Sequence, residues 1–167
     1  MLIKAVLIAL AAATFTISPA EAAPTVKVSR TLVVHAAPDQ TFDAIKDFGG
    51  WQSWHPAIEK TDIKSGGANK VGTVRVLSLK GGGTITETLT AFSARGKSYS
   101  YRIDESPLPV TNYQSTLAVK SGKAGGSTLT WSSTFKAKQG VTDAEAKKAI
   151  EGVYDTGLDN LKTQLGG

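Results

Sequence analysis

A long amphipathic segment close to the carboxyl terminus sets the first limit on how this chain can fold. Thr142, followed three residues later by Glu145, forms the pattern of a capping box, so we predict a helix from Asp143 to Leu165. Apolar side chains and one glycine then recur at helical spacing, at Ala146, Ile150, Val153, Tyr154, Gly157, Leu158, Leu161 and Leu165. A stripe of this length must pack against another apolar surface of similar extent.

The preceding residues predict that this surface is an antiparallel sheet. Runs rich in Val, Ile, Thr, Tyr and Trp alternate in polarity with period two and are separated by glycine-rich turns. Short turns between successive strands favour antiparallel neighbours. We predict seven strands, at Thr25–His35, Ile58–Lys64, Val71–Lys80, Thr84–Ser93, Lys97–Asp104, Asn112–Lys120 and Ser127–Lys138.

Two short helices are predicted between the first and second strands. Pro38 suits a first helical turn, and Phe42, Ile45 and Phe48 give that helix an apolar face. A second helical piece is predicted at Gly50–Trp54. The fold class is therefore α+β, with a seven-stranded antiparallel sheet curled around the long carboxyl-terminal helix. Because one helix cannot cover the whole of such a sheet, we expect a cavity between them, where small ligands usually bind.

The amino-terminal residues predict export. Lys4 precedes an apolar run from Ala5 to Ile17, and small residues at Ala20 and Ala22 suit signal peptidase. We predict a signal peptide at residues 1–22, cleaved after Ala22, and a single domain at residues 23–167 in the periplasm, with no membrane span after cleavage. An uncleaved anchor is the alternative, but the apolar run is short for a span of about 20 residues.

Cysteine and charge narrow the chemistry further. The chain has no cysteine, which removes thiolate catalysis, iron–sulfur clusters and cysteine-ligated zinc. Its net charge of +5 is spread over Lys27, Arg30, Lys60, Lys64, Lys70, Arg75, Lys80, Lys120 and Lys123 and not gathered in one run. We expect no nucleic-acid partner. A diffuse positive surface would speed association with an acidic periplasmic protein, and a merely solvated surface is the alternative.

Several motifs, in the same order along the chain, resemble the START-like (SRPBCC) proteins of the polyketide cyclase/dehydrase type. The opening motifs are His35–Phe42, Asp47–Trp51 and Trp54–Pro56, and the later ones are Ile85–Leu89, Tyr99–Ile103, Ser106–Tyr113, Trp131–Phe135 and Gly152–Leu158. The resemblance implies a helix-grip fold and says less about function, because the family includes ligand carriers, receptors and cyclases.

A narrower resemblance is to the methanol-oxidation accessory proteins of methylotrophic bacteria, the MxaD type. The predicted export, the basic charge, the size of the mature chain and the motif set all fit that family. It implies that the protein assists the meeting of periplasmic methanol dehydrogenase with its cytochrome.

Glu87 is the first candidate for a polar group in the cavity. It shares strand parity with Ile85, Leu89 and Ala91, which predicts that all four side chains face the interior. A buried carboxylate must find a donor or take a raised pKa, and Arg75 and Arg102 are the candidate partners. The alternative is a solvated glutamate at the sheet edge.

Aromatic residues supply the other candidates. Trp51, Trp54 and His55 lie beside a proline, where one end of the cavity would close. A large aromatic residue there can anchor a ligand or form a lid. We favour a third interpretation, in which the tryptophans plug that end of the sheet. The histidines, His35 and His55, fall on different elements, so we predict no metal site, and no cofactor. We expect most of the strand aromatics to be core residues, but a hydroxyl or ring could reach the cavity, and parity does not say which. The candidates are Tyr99, Tyr101, Tyr113, Trp131, Phe135 and Tyr154.

The loop Pro107-Leu108-Pro109 is stiffened by its two prolines. In the related hormone receptors a loop near this position acts as a gate, so the resemblance implies a gating role here. Unchanged ligand on- and off-rates in a Pro109→Gly variant would count against that role.

Two functions are therefore open. The first is a non-catalytic domain that binds a small apolar ligand, docks on a redox enzyme, or does both. The second is a cyclase or dehydratase using Glu87 and a cavity tyrosine as acid and base. We favour the first, because the sequence has no complete catalytic set and polyketide intermediates are usually made in the cytoplasm.

Overall fold

The computed structural model describes residues 25–166, and the predicted signal peptide lies outside the described residues. The strands are β1 (Val26–Val34), β2 (Ile58–Ser65), β3 (Val74–Leu79), β4 (Thr84–Ser93), β5 (Ser98–Glu105), β6 (Val110–Ser121) and β7 (Ser127–Ala137). The helices are α1 (Pro38–Ile45) and α2 (Asp143–Leu165), with 3₁₀ turns at Trp51–Ser53 and Lys123–Gly125. The predicted α+β architecture is confirmed. No helix in this part of the chain is long and apolar enough to cross a membrane.

The seven strands form one antiparallel sheet in the order β1-β7-β6-β5-β4-β3-β2. Strands β2 to β7 follow one another as a meander, and β1 pairs with β7 through a register that joins Val26 to Phe135 and Val34 to Ser127. The two short helical segments lie between β1 and β2, the edge strands, and so carry the chain from one edge of the sheet to the other.

Strand boundaries and one parity differ from the prediction. β3 begins at Val74 and not at Val71, because residues 70–73 form a turn in which Gly72 takes a φ of 90°. β6 begins two residues earlier than predicted. In β4 the register shifts between Leu89 and Ala91, as a β-bulge does. Ala91 is therefore exposed, and its predicted inward orientation is wrong.

Helix α2 begins and packs as its sequence predicts. Thr142 Oγ1 accepts a hydrogen bond from the Glu145 N–H at 3.2 Å, and Glu145 Oε2 accepts one from the Thr142 N–H at 2.9 Å. The helix ends at Gly166, which has the left-handed φ of 69° typical of helix ends. Its buried stripe faces β1 and β7, and consists of Ala146, Ile150, Tyr154, Gly157, Leu158 and Leu161.

Gly157 marks a close approach of α2 to the core. A Cβ at this position would lie 2.7 Å from His55 Cδ2 and 3.1 Å from Trp131 Cζ3. We therefore expect Gly157→Ala to lower the free energy of unfolding by about 1–3 kcal/mol through overpacking, although alanine favours a helix by about 1 kcal/mol. Urea unfolding measures the change. Gly152→Ala is the matched control, since apart from its immediate neighbours in the helix no atom lies within 4 Å of its Cβ position. Equal stability of the two variants would contradict the close approach.

Candidate ligand-binding cavity

A cavity of about 300 Å³ lies between the inner face of the sheet and α2. Its wall is mainly aliphatic, with side chains from β2, β3, β4, β5 and α2: Ile58, Leu77, Ile85, Ile103, Ile150 and Val153. The turn from Leu79 to Gly82 and the side chain of Leu108 also line it. The predicted space between helix and sheet is thus present, at the small end of the usual range for ligand sites.

Two further depressions are larger but have no residue of α2 in their lining. One, of about 700 Å³, runs along residues 102–106 and 110–114. The other, of about 430 Å³, is lined by outward-facing hydroxyl residues that include Thr90, Ser100 and Thr116. Neither lies between the sheet and α2, where the aliphatic wall is.

About half of the predicted site residues line the cavity. They are Trp51, His55, Glu87, Tyr101, Tyr113 and Trp131. The structure places the other predicted residues outside the lining, namely Trp54, Arg75, Tyr99, Pro107, Pro109, Phe135 and Tyr154. No aliphatic residue of the wall was predicted as a site residue. Strand parity and the apolar stripe of α2 nevertheless indicate that Leu77, Ile85 and Ile150 face inward.

Glu87 forms a buried ion pair with Arg75. The two residues face each other across β4 and β3, and their side chains are 3% and 0% exposed. Arg75 Nε donates to Glu87 Oε2 at 2.7 Å, and Nη2 lies 2.5 Å from the same oxygen. Arg102, the other predicted partner, is exposed and donates to Asp104 Oδ1 at 2.7 Å. The burial of Arg75 also corrects its assignment to the positive surface.

The Arg75 guanidinium is enclosed by protein groups. Its Nη1 donates to the Phe48 carbonyl oxygen at 2.8 Å. Its Cζ lies 3.9 Å from the centroid of the Phe48 ring and 3.8 Å from that of Trp51, distances typical of cation–π contacts. Burial raises the pKa of Glu87, and the positive charge of Arg75 opposes that rise. Because arginine stays protonated in proteins, an ionised Glu87 is the counter-ion that this buried charge requires.

The tryptophans and His55 pack as one aromatic cluster. The Trp51 and Trp54 rings lie 4.8 Å apart, and both meet Trp131 edge-on at 5.5 and 5.6 Å. Trp51 Nε1 donates to the Tyr99 hydroxyl at 3.1 Å. Trp54 is fully buried and packs in the core outside the cavity lining, whereas Trp51 both packs in the core and forms part of the cavity wall.

The buried tyrosine hydroxyls form a hydrogen-bonded group beside the cavity. The hydroxyls of Tyr113 and Tyr154 are 2.6 Å apart, and Ser115 Oγ lies 3.1 Å from that of Tyr154. Trp131 Nε1 donates to Tyr101 at 3.2 Å and to Ser115 at 3.0 Å. Burial raises the pKa of Tyr101, Tyr113 and Tyr154 well above its usual value. These hydroxyls therefore stay protonated at neutral pH.

His55 is held as a neutral ring. The Ala57 N–H donates to its Nδ1 at 3.3 Å, and its Nε2 lies 3.1 Å from the Val153 carbonyl oxygen. A proton on Nε2 satisfies both contacts. Burial lowers the pKa of this imidazole, since a charged ring would lose its hydration.

The lowered pKa of His55 predicts a loss of stability in mild acid. In the unfolded chain a histidine takes up a proton near pH 6.5, whereas folded His55 takes it up at lower pH. Stability should therefore fall as pH drops below about 6.5, by up to about 1.4 kcal/mol per pH unit. Urea unfolding at pH 7.5 and 5.5 measures this slope. His55→Gln should flatten it, and His35→Gln, at an exposed position, should not. An unchanged slope in His55→Gln would contradict the assignment.

The proline loop lies at the rim of the cavity. Pro107 Cγ would be 3.7 Å from a Cβ on Gly83, so this loop meets the β3–β4 turn, and Leu108 between the prolines contributes to the cavity wall. The gating role of the loop stays a prediction.

Comparisons with known proteins agree with this fold. The family described as "Polyketide cyclase / dehydrase and lipid transport" matches residues 25–166. The chain is similar to the solved structure of the protein XoxI from Bacillus cereus, with 33% identity, a TM-score of 0.78, and coverage of 84% of this chain and 95% of that one.

Two other solved structures are similar. A putative uncharacterised protein from Bacillus thuringiensis shares 32% identity, with a TM-score of 0.77 and coverage of 84% and 99% of the two chains. A protein from Nitrosospira multiformis shares 26%, with a TM-score of 0.73 and coverage of 83% and 95%. The comparison with curated proteins gave no match. The chain therefore belongs to the polyketide cyclase/dehydrase and lipid transport family.

Proposed function

We propose that this protein binds a small, largely apolar molecule in the cavity between α2 and the sheet, without transforming it chemically. The observation that carries the proposal is the cavity of about 300 Å³, which the surrounding tyrosines and tryptophans leave unfilled. Its aliphatic wall suits an apolar body, and Glu87 supplies a polar group inside it. A concave apolar site with few polar groups is the usual form of a small-molecule site.

The side-chain chemistry favours binding over catalysis. A cyclase or dehydratase using Glu87 and a tyrosine would need groups that exchange protons near neutral pH. Glu87 is held by Arg75 at 2.5 and 2.7 Å, and burial raises the pKa of Tyr101 and Tyr113 well above its usual value. The tyrosines therefore resist losing a proton, and one oxygen of Glu87 is already committed to Arg75.

Native mass spectrometry of the purified protein tests the proposal. We expect a non-covalent adduct of small-molecule mass that dissociates on collisional activation. Protein stripped of that adduct should then bind small apolar compounds saturably, read from tryptophan emission, because Trp51 and Trp131 line the cavity. The absence of both an adduct and saturable binding across a panel of apolar compounds would overturn the proposal.

A docking role is the second candidate, and the exposed positive charge supports it. Lys27, Lys60, Lys64, Lys70 and Lys120 are all exposed, which suits association with an acidic partner. Together with the resemblance to methanol-oxidation accessory proteins, this charge supports a second proposal. In it, the protein is exported and promotes the meeting of methanol dehydrogenase and its cytochrome. Cytochrome reduction in the reconstituted pair should be faster with the protein at low salt, and equal rates with and without it would exclude the role.

A further inference from the structure

We propose that Glu87 selects the ligand, so that the bound molecule carries a hydroxyl or amine hydrogen-bond donor at its buried end. This inference rests on the proposed binding function and specifies its ligand class. Three features support it: the carboxylate oxygen that Arg75 binds, the partners of the nitrogen donors in the cavity wall, and the position of the nearest exposed cation.

Within the described residues, protein donors reach one oxygen of the Glu87 carboxylate and not the other. Arg75 Nε and Nη2 both meet Oε2, at 2.7 and 2.5 Å, and no residue among 25–166 donates a hydrogen bond to Oε1. Glu87 lines the cavity, whereas Arg75 does not. The cavity therefore meets the acceptor oxygen of this ion pair and is separated from its positive charge.

The nitrogen donors of the cavity wall are already engaged by protein acceptors. The Trp51 indole N–H donates to Tyr99, and that of Trp131 to Tyr101 and Ser115. His55 contacts Ala57 N and Val153 O through its two ring nitrogens. No cationic side chain lines the deep end of the cavity beside Glu87, within the part of the chain that the structure describes. An anionic ligand group there would lie against the free oxygen of Glu87, with the Arg75 charge on the far side of the carboxylate and already paired with it, which is unfavourable in a buried site.

The nearest cation that lines the cavity is at its rim. Lys80 is exposed and follows the end of β3, five residues beyond Arg75. At roughly 3.3 Å per residue, it lies about 17 Å along the strand from the level of Glu87. The ligand class is thus an elongated apolar molecule whose donor group lies inside, next to Glu87, and whose acidic group, if it has one, lies at the rim.

Three compounds on one ring system test the inference: naphthalene, 2-naphthol and 2-naphthoate. Their affinities for the wild-type protein can be measured from tryptophan emission. A hydrogen bond to a charged acceptor should make 2-naphthol bind about 10- to 100-fold more tightly than naphthalene. In Lys80→Gln, which removes the rim cation, 2-naphthoate should bind no more tightly than naphthalene.

Two double variants assign the preference to the buried pair. Arg75→Met with Glu87→Leu replaces the ion pair by apolar groups, a change that proteins often tolerate at buried pairs. We expect this variant to lose the preference for 2-naphthol and still to bind naphthalene. Lys60→Gln with Asp62→Asn removes an exposed pair and should keep the preference.

The outcomes separate this inference from the proposed function. Three results would each overturn the inference and leave cavity binding intact. The wild-type protein could bind 2-naphthol and naphthalene equally, or Lys80→Gln could bind 2-naphthoate most tightly of the three compounds. The third is a preference for 2-naphthol that survives loss of the buried pair. If no compound binds the wild-type protein, the proposed function fails and the inference with it. Should the buried double variant not fold, the wild-type and Lys80→Gln measurements still decide.

Discussion

Replacing Glu87 with glutamine is expected to lower the free energy of unfolding by about 3–5 kcal/mol. The change removes the negative charge and leaves the Arg75 guanidinium, 0% exposed, enclosed by Phe48 and Trp51 without a counter-ion. Arginine cannot relieve this by losing its proton. Urea unfolding followed by tryptophan emission measures the loss.

Two comparisons make this result specific to the buried pair. Asp62→Asn breaks an exposed contact, because the side chain of Asp62 is 37% exposed and that of its partner Lys60 is 66% exposed. This change should lower the free energy of unfolding by less than about 1 kcal/mol. Arg75→Met combined with Glu87→Leu should recover most of the stability lost in Glu87→Gln, because no unpaired charge then remains. Equal losses in Glu87→Gln and Asp62→Asn would contradict the account of this ion pair.

Filling the cavity is expected to remove ligand binding. Leu77 is 1% exposed and lines the cavity from β3, so Leu77→Trp places an indole where the ligand would lie. We expect affinity for 2-naphthol to fall at least about 30-fold, the equivalent of about 2 kcal/mol. Overpacking should also cost about 1–3 kcal/mol of stability, so binding is measured at a temperature where the variant is folded.

The matched control is the next residue of the same strand. Val76 points to the opposite face of the sheet and is half-buried, so Val76→Trp adds the same group on the solvent side. Its affinity for 2-naphthol should stay within about threefold of wild type, since its side chain lies on the face of the sheet away from the cavity. Wild-type affinity in Leu77→Trp would show that the ligand binds elsewhere.

The sequence was sufficient for the order of the elements and for α2. The capping box at Thr142 and the regular apolar stripe act locally, so they can be identified without knowing the rest of the fold. Ala91 shows the limit of such reasoning, because the β-bulge after Leu89 reverses the strand parity and a bulge of this kind leaves no glycine or proline signal in the sequence.

The choice between the two candidate partners of Glu87 depended on strand register. Glu87 lies opposite Arg75 on β3, whereas Arg102 on β5 lies opposite Thr88 and points outward with it. Register is set by turn geometry and by packing across the sheet, neither of which the residue types alone specify.

The cavity wall was harder still to predict. A cavity is a volume that side chains fail to fill, and an aliphatic residue such as Ile85 has the same sequence pattern whether it contacts another side chain or an open space. The aromatic residues drew attention because of their size, yet Trp54 and Phe135 proved to be core residues that do not reach the cavity.

An NMR titration of the protein with 2-naphthol tests cavity binding most directly. If the ligand enters between α2 and the sheet, the indole N–H signals of Trp51 and Trp131 and the amide of Ile150 should shift to saturation, while Thr90, Ser100 and Thr116 on the outer face stay unchanged. Saturating shifts confined to those outer residues, or no saturating shift anywhere, would contradict it.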